Sequence, residues 1–212
     1  MKKCTFLGAV ACAAVGLSAH AGIDFVTQTP DAVNGYFADS TGSSPAQRIA
    51  DNFVSQASWN IEYMSFWGGY FPNNTPVTDA FTIEFRADNG GLPGAVVHTT
   101  TPASLVRTAT GIVIFGVDEY RYDVVLAAPV SLGAGTFWVS VTNSTNFGSS
   151  SSWFWETSSA GGNQGSWSPD SGGTWNGLPN DLSMILGGSV PAPGALALLG
   201  AAGLVARRRR RA

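Results

Sequence analysis

Apolar and polar residues alternate along much of this chain, which is the pattern of β-strands with one buried face. The clearest case is residues 79–87, where Phe81, Ile83 and Phe85 point to one side and polar residues point to the other. The strongest apolar stretch is 59–71, and Gly68-Gly69 is predicted to end its strand. A period of two puts Trp59, Ile61, Tyr63, Ser65 and Trp67 on one face, with Asn60, Glu62, Met64 and Phe66 on the other.

Further short strands are predicted at steady spacing. They are residues 48–54, 95–100, 112–115, 119–127, 135–142, 153–156 and 181–186, whereas 22–45 is predicted to be rich in loops. About nine or ten short strands, with no amphipathic helical window, favour an all-β fold. We therefore predict an antiparallel β-sandwich, jelly-roll-like, over residues 22–189.

Charge is distributed unevenly along the sequence. Residues 22–189 hold four arginines, Arg48, Arg86, Arg107 and Arg121, against all 14 acidic residues, which gives a net charge of −10. Such an acidic surface repels phosphate backbones, so nucleic acid is excluded as a partner. The abundance of Gly, Ser, Thr, Asn and Trp supports strands and turns rather than helices.

The first 21 residues have the three parts of a secretory signal peptide, which is predicted to form a helix. Lys2 and Lys3 supply the positive charge, residues 6–17 are apolar, and Ala19 and Ala21 form a small-x-small cleavage site that makes Gly22 the mature N-terminus. Both cysteines, Cys4 and Cys12, lie inside this segment. The mature protein is therefore predicted to have no disulfide and no cysteine nucleophile.

The last 23 residues have a different three-part pattern. The signature Val190, Pro191, Ala192, Pro193 and Gly194 precedes an apolar helix over 194–206 and the basic cluster Arg207, Arg208, Arg209, Arg210 and Arg211. Thirteen helical residues extend about 20 Å, which is short of the ~30 Å hydrocarbon core of a bilayer. The arginines favour a cytoplasmic end, so the tail is predicted to be a transient membrane stop with the domain outside.

This tail resembles the PEP-CTERM sorting signal, in which a Pro-x-Pro signature precedes a hydrophobic helix and terminal arginines. The resemblance implies that the chain is a substrate of exosortase, a processing enzyme of the membrane that acts near the signature. Ala192 stands where the motif usually has glutamate, which makes this a Val-Pro-Ala-Pro-Gly variant.

The middle of the chain looks like a domain that often precedes such anchors in environmental bacteria. The pieces that carry this resemblance are 50–53, 66–70, 81–85, 91–94, 135–140 and 181–183. It implies a β-sandwich without an assigned activity.

Four tryptophans late in the chain have two interpretations. They are Trp153, Trp155, Trp167 and Trp175, set among Ser, Gly and Asn. Exposed indoles stack on sugar rings, so Trp153 and Trp155 are candidates for a platform that binds extracellular polysaccharide. The alternative, which we favour, is that they fill the core of a sandwich that has few leucines.

The other candidate catalytic or metal-binding residues can each be explained by a purely structural role. Glu62 with Glu84, or Asp118 with Glu119, offers the two carboxyl groups of a glycosidase, although exposed surface acids fit Glu62 and Glu84 better. A structural calcium ion at 88–90 or 170–172 is an open alternative to plain turns, and no metal is assigned. His98 is interpreted as an ordinary histidine.

Residues 168–175 match the S-x-D-x-G-x-T-W pattern of the Asp-box, a β-hairpin motif seen in sialidases and many secreted β proteins. The resemblance implies a hairpin rather than sialidase activity. We therefore predict an exported, tail-anchored and non-enzymatic protein, structural or adhesive, of the cell envelope or extracellular matrix. A carbohydrate-binding module is the first alternative, and a secreted hydrolase is the second.

Overall fold

The computed structural model describes residues 22–41, 47–73, 79–145, 151–160 and 164–191, and the described residues contain strands but no helix. The strands are β1 (Ile23–Gln28), β2 (Pro30–Phe37), β3 (Arg48–Ser55), β4 (Trp59–Phe71), β5 (Thr82–Asp88), β6 (Pro93–Thr100), β7 (Pro102–Ile114), β8 (Val117–Leu132), β9 (Gly135–Thr142), β10 (Ser152–Ser158), β11 (Ser166–Ser168), β12 (Asn176–Gly177), β13 (Asp181–Leu182) and β14 (Met184–Ser189). The predicted signal helix and C-terminal helix lie outside the described residues.

The strands form two antiparallel sheets. In the larger sheet β4 is central, with β8 and then β7 on one side. Its other side pairs first with β14, which carries β1, and then with β10, which carries β2 and β13. The smaller sheet has the order β12-β11-β3-β9-β5-β6. The predicted all-β, antiparallel sandwich is confirmed.

An aromatic core fills the space between the sheets. Phe66 of β4 stacks on Tyr122 of β8 with ring centroids 5.2 Å apart, and its edge contacts Trp153 of β10 at 5.7 Å. Phe81 meets Trp153 at 4.9 Å. Large rings thus supply a substantial part of the apolar area that is buried between the two sheets.

Two predictions about strand β4 differ from the structure. Gly68-Gly69 does not end it, because the strand continues to Phe71. Beyond Ile61 the predicted faces are also wrong. Gly187 and Gly188 of β14 pair with Tyr63 and Ile61, so Glu62 is the extra residue of a β-bulge and reverses the alternation. Trp59, Ile61, Met64, Phe66 and Tyr70 therefore all belong to the core cluster, whereas Tyr63 and Trp67 do not.

Several strands were not predicted. Residues 22–45 contain β1 and β2, and β7 begins at Pro102 rather than at Ile112. Nearly all of β7 is exposed on both faces, so its sequence has no alternation to recognise.

The two chain ends of the sandwich lie together. Ile23 of β1 pairs with Gly188 of β14, and Gly188 pairs with Ile61 near the start of β4. We call this the terminal end. The tip of the β7–β8 hairpin, at Phe115, contacts Phe71 at the other end of β4, which we call the hairpin end. Ten residues of strand separate Ile61 from Phe71, which is about 33 Å.

Candidate functional site

Trp153 and Trp155 do not form a carbohydrate platform. Both side chains are 0% exposed, because alternation along β10 directs them between the sheets. The Trp155 Nε1 group donates a hydrogen bond to the Ser183 carbonyl at 2.8 Å. The possible ligand role assigned to these two residues is therefore wrong, and the favoured core interpretation describes them.

The other two tryptophans of that group lie on the β11–β12 hairpin and are half-buried. The Arg86 guanidinium stacks over the Trp175 ring, 5.2 Å from its centroid. Trp167 packs against the core cluster. Their contacts are thus made within the domain.

The Asp-box residues form the expected hairpin. Asp170 Oδ1 accepts hydrogen bonds from the Thr174 backbone N–H and the Ser168 hydroxyl, both at 2.7 Å. The bonds from Ser168 and then Thr174 lower the pKa of Asp170 to about 2. Gly172 has φ +98°, a left-handed conformation that favours glycine. The motif is therefore accounted for by turn architecture.

The calcium candidates serve as turns. Asp88 Oδ1 accepts hydrogen bonds from Trp138 Nε1 at 2.9 Å and from the Gly91 N–H at 3.2 Å. Asp170 is occupied by the contacts of its own hairpin. Within the described ranges, no group of three or more His, Cys, Asp or Glu side chains is arranged to hold a metal ion.

The fold does not bring together Glu62 and Glu84, one of the carboxyl pairs proposed from sequence. Glu62 lies on β4 and Glu84 on β5, which belong to different sheets, so the two residues do not share a cleft. Glu84 is also not a surface acid, because its side chain is only 12% exposed and bridges Arg48 at 2.8 Å and Arg86 at 2.6 Å. His98 is half-buried on β6, opposite Phe85.

The structure instead brings Glu119 of β8 together with Glu156 of β10. Their neighbours Tyr120 and Trp155 both pair with Gly68, one from each side of β4, so the two acids flank the same strand. Alternation places them on the face of the larger sheet that points away from the core. Glu119 is 1% exposed and Glu156 is 0% exposed.

The surroundings of Glu156 favour its protonated form. Glu156 Oε1 accepts the Ala32 N–H at 2.8 Å, but no donor among the described residues reaches Glu156 Oε2 or either oxygen of Glu119. The two carboxyl groups interact with each other, so a protonated Glu156 is able to donate a hydrogen bond to Glu119. Burial, and then the contact with Glu119, raises the pKa of Glu156 to about 9.

An apolar groove lies on the same face at the hairpin end. Its walls are Phe37, Phe71, Phe115 and Phe154, with Gly35, and its volume is about 290 Å³. Phe115 is 50% exposed, has φ +55°, and contacts Phe154 with centroids 5.7 Å apart. Positive φ is uncommon for a bulky residue, so the fold holds this side chain over the groove at a cost.

Sequence reasoning missed both features because their residues come from separate strands. The four phenylalanines are contributed by β2, β4, β10 and the tip of the β7–β8 hairpin. One signal was available for the acids. Glu119 and Glu156 alternate with Tyr122 and Trp155 of the core cluster and with Tyr120, which packs against it. That pattern predicts that both acids lie on the sheet face opposite the core, but it does not predict that β8 and β10 flank the same strand.

The residues predicted for sorting and cleavage lie mostly beyond the described part of the chain. Ala19, Ala21, Ala192, Pro193, Gly194 and Arg207 to Arg211 are outside it. Gly22 immediately precedes β1, and Val190 is 47% exposed just after β14, followed by Pro191. Within the described ranges no helix has the length and apolar character needed to cross a membrane.

Comparison of the chain with models of known protein families and with curated proteins finds no match.

Proposed function

We propose that this chain is an exported, non-enzymatic β-sandwich with a structural or adhesive role in the cell envelope or extracellular matrix. In this proposal the chain is sorted, and then processed by an exosortase-type enzyme, through its C-terminal tail. The observation that carries it is the fit between the fold and the two targeting patterns. β1 begins at Ile23, one residue after the expected mature N-terminus, and β14 ends at Ser189, one residue before the Val190–Gly194 signature.

The position of the chain ends supports the same proposal. Ile23 and Gly188 are paired, so the signal peptide and the tail both leave from the terminal end of the sandwich. A domain held at a membrane by that tail presents its hairpin end outward, about 33 Å away along β4. In such an arrangement the phenylalanine groove faces other molecules rather than the anchoring membrane.

The contacts of the conspicuous polar residues support a structural or binding role over catalysis. Glu84 forms ion pairs with two arginines. Asp170 accepts a hydrogen bond from its own turn, and Asp88 accepts one from Trp138. The separation of Glu62 and Glu84 on different sheets argues against their use as the two carboxyl groups of a hydrolase. The burial of Trp153 and Trp155 argues against their use as an exposed platform for carbohydrate. The jelly-roll-like assignment and the two flanking helices remain part of the proposal.

Mass spectrometry of the protein recovered from its native cells tests this function. We expect a mature N-terminus at Gly22 and a C-terminus that lacks Arg207 to Arg211. A matched variant, Pro191→Ala with Pro193→Ala, is expected to keep the arginines on an otherwise unchanged protein. An exported wild-type protein that retains Arg207 to Arg211 contradicts the processing step, and a retained Met1 contradicts export.

A further inference from the structure

Strand β7 forms the longest regular edge of the sandwich. In the part of the chain that the structure describes, β7 pairs with β8 alone, and six consecutive residues, 104–109, stay in register. The other outer strands β1, β2 and β6 keep at most three consecutive residues in register before a shift. Six residues of strand extend about 20 Å and direct alternate N–H and C=O groups away from β8.

Among the residues that the structure describes, the 104–109 edge lacks the usual protection against strand pairing. Natural edge strands are shielded by charged side chains, proline or bulges, or are covered by another segment. Residues 104–109 contain one charged residue and no proline, and the only proline of β7 is Pro102 at its start. Val106 is 60% exposed at the middle of the strand and pairs with Asp123 of β8, and Val125, which pairs with Ser104, is 53% exposed.

The single charge on this edge is neutralised within the chain. Arg107 forms an ion pair with Asp79, and its guanidinium stacks over Tyr120, 5.3 Å from the ring centroid. Arg107 pairs with Tyr122, whose ring lies in the core, so its side chain is on the inner face. A second strand approaching β7 therefore meets no unpaired cation in residues 104–109.

We propose that β7 is a self-association edge, which pairs antiparallel with β7 of a second copy about a two-fold axis at Val106. This inference rests on the proposed adhesive role and names the partner as the chain itself. In a two-fold antiparallel pair the identical strand is self-complementary, so each N–H and C=O that faces outward meets its counterpart. The result is one continuous sheet across two molecules.

Side-chain pairing and regularity select Val106 as the centre. An axis at Arg107 would set two long arginine side chains opposite each other, each already held by its own contacts, which is a less favourable cross-strand pair than two β-branched side chains. An axis at Thr108 would draw residues 110–112 into the pairing, where the β7–β8 register is shifted. An axis at Val106 pairs Val106 with itself, Arg107 with Leu105, and Ser104 with Thr108. Two β-branched apolar side chains then face each other at the centre, a favourable cross-strand pair.

Cysteine crosslinking in the full-length chain tests this register. Cys4 and Cys12 are the only cysteines, and replacing both by alanine gives a background without thiols. In cell envelopes under mild oxidation, Val106→Cys is expected to give a disulfide-linked dimer, because directly opposed residues have Cβ atoms about 4.5–5.5 Å apart. Val54→Cys, which is 51% exposed on β3 of the other sheet, is the matched control and is expected to stay monomeric.

Two further variants test the antiparallel direction. Ser104→Cys and Thr108→Cys are each expected to stay monomeric alone and to crosslink to each other when co-expressed with different tags. Adding Val106→Lys to both chains is expected to abolish that crosslink, since it places two cations opposite each other, while circular dichroism remains that of the wild type. A dimer yield at Val106 no greater than at Val54, or equal yields at every position, overturns the proposal. Terminal masses from the same samples report separately on sorting and processing, so the two proposals can fail independently.

Discussion

At the scale of single residues, burial decides what each conspicuous side chain does. Glu119 and Glu156 are the clearest case, because two carboxyl groups that are 1% and 0% exposed share a site with no cation from the described residues. Ionising both would leave two like charges buried in contact, which is costly in a poorly hydrated site. The pair therefore couples protonation to folding.

Replacing Glu156 by glutamine should remove part of the pH dependence of stability. The unfolded chain loses the Glu156 proton near the ordinary value of 4.5, whereas the folded chain, in which its pKa is about 9, retains the proton. Between these values the folded state binds more protons, so the free energy of unfolding falls as pH rises. Glu156→Gln is always neutral and its amide can donate to Glu119, so at pH 8 we expect a higher melting temperature than in the wild type.

Thermal unfolding from pH 4.5 to 9 measures this effect, with Glu62→Gln as the control on β4. Glu156→Gln should fall less steeply with rising pH than both the wild type and the control. Some slope will remain, because burial also raises the pKa of Asp51. Parallel curves for wild type and Glu156→Gln would show that the pair does not hold a proton.

Trp153 provides a test of the core interpretation. Its ring lies against Phe66, Phe81 and Tyr122, so Trp153→Ala should cost roughly 3–5 kcal/mol of unfolding free energy. Trp175→Ala, on the β11–β12 hairpin, should cost clearly less because that ring is half-buried. Urea unfolding compares the two variants, and equal losses would contradict the difference in packing.

At the scale of elements, the glycines of β4 set how closely its neighbours approach. A Cβ atom at Gly68 would lie 2.0 Å from the Phe154 carbonyl oxygen, which is backbone of β10 and has no room to move. Gly68→Ala should therefore force β4 and β10 apart and lower stability by about 1–3 kcal/mol or more.

Gly133 provides the matched control for that substitution. It has nothing within 4 Å of the position where a Cβ would stand, so Gly133→Ala should leave the melting temperature nearly unchanged. Scanning calorimetry of the two variants compares them directly. A Gly68→Ala protein as stable as Gly133→Ala would mean that the β4–β10 contact is looser than described.

β5 was predicted from sequence because most of its residues alternate between a buried and a less buried face. β3 and β9 also lie close to their predicted positions because their sequences alternate, although the second half of β9 is buried on both faces. β7 was largely missed because it is exposed on both faces. The faces of β4 beyond Ile61 were reversed by one bulge residue, which composition does not reveal. The Glu119–Glu156 pair required the order of three strands, and that order is set by long-range pairing.

At the scale of the whole molecule, the two ends of β4 differ in what they present. The terminal end carries both chain ends, paired at Ile23 and Gly188, and the turn after β8 that contains Gly133. The hairpin end carries Phe115 and the phenylalanine groove. Since β7 runs along the side between these ends, pairing of two copies through β7 leaves both ends accessible.

Attachment through the tail then predicts a defined orientation on the membrane. A fluorophore on Gly133→Cys, near the terminal end, should be quenched strongly by vesicles that carry nitroxide on their headgroups. The same label on Ile112→Cys, near the hairpin tip and 40% exposed, should be quenched weakly, because about 33 Å of strand keeps it beyond the reach of the headgroups. Full-length protein in the thiol-free background, inserted through its intact tail, provides the sample. Equal quenching at the two positions would indicate that the sandwich lies flat on the bilayer, with its groove turned toward lipid rather than toward neighbouring molecules.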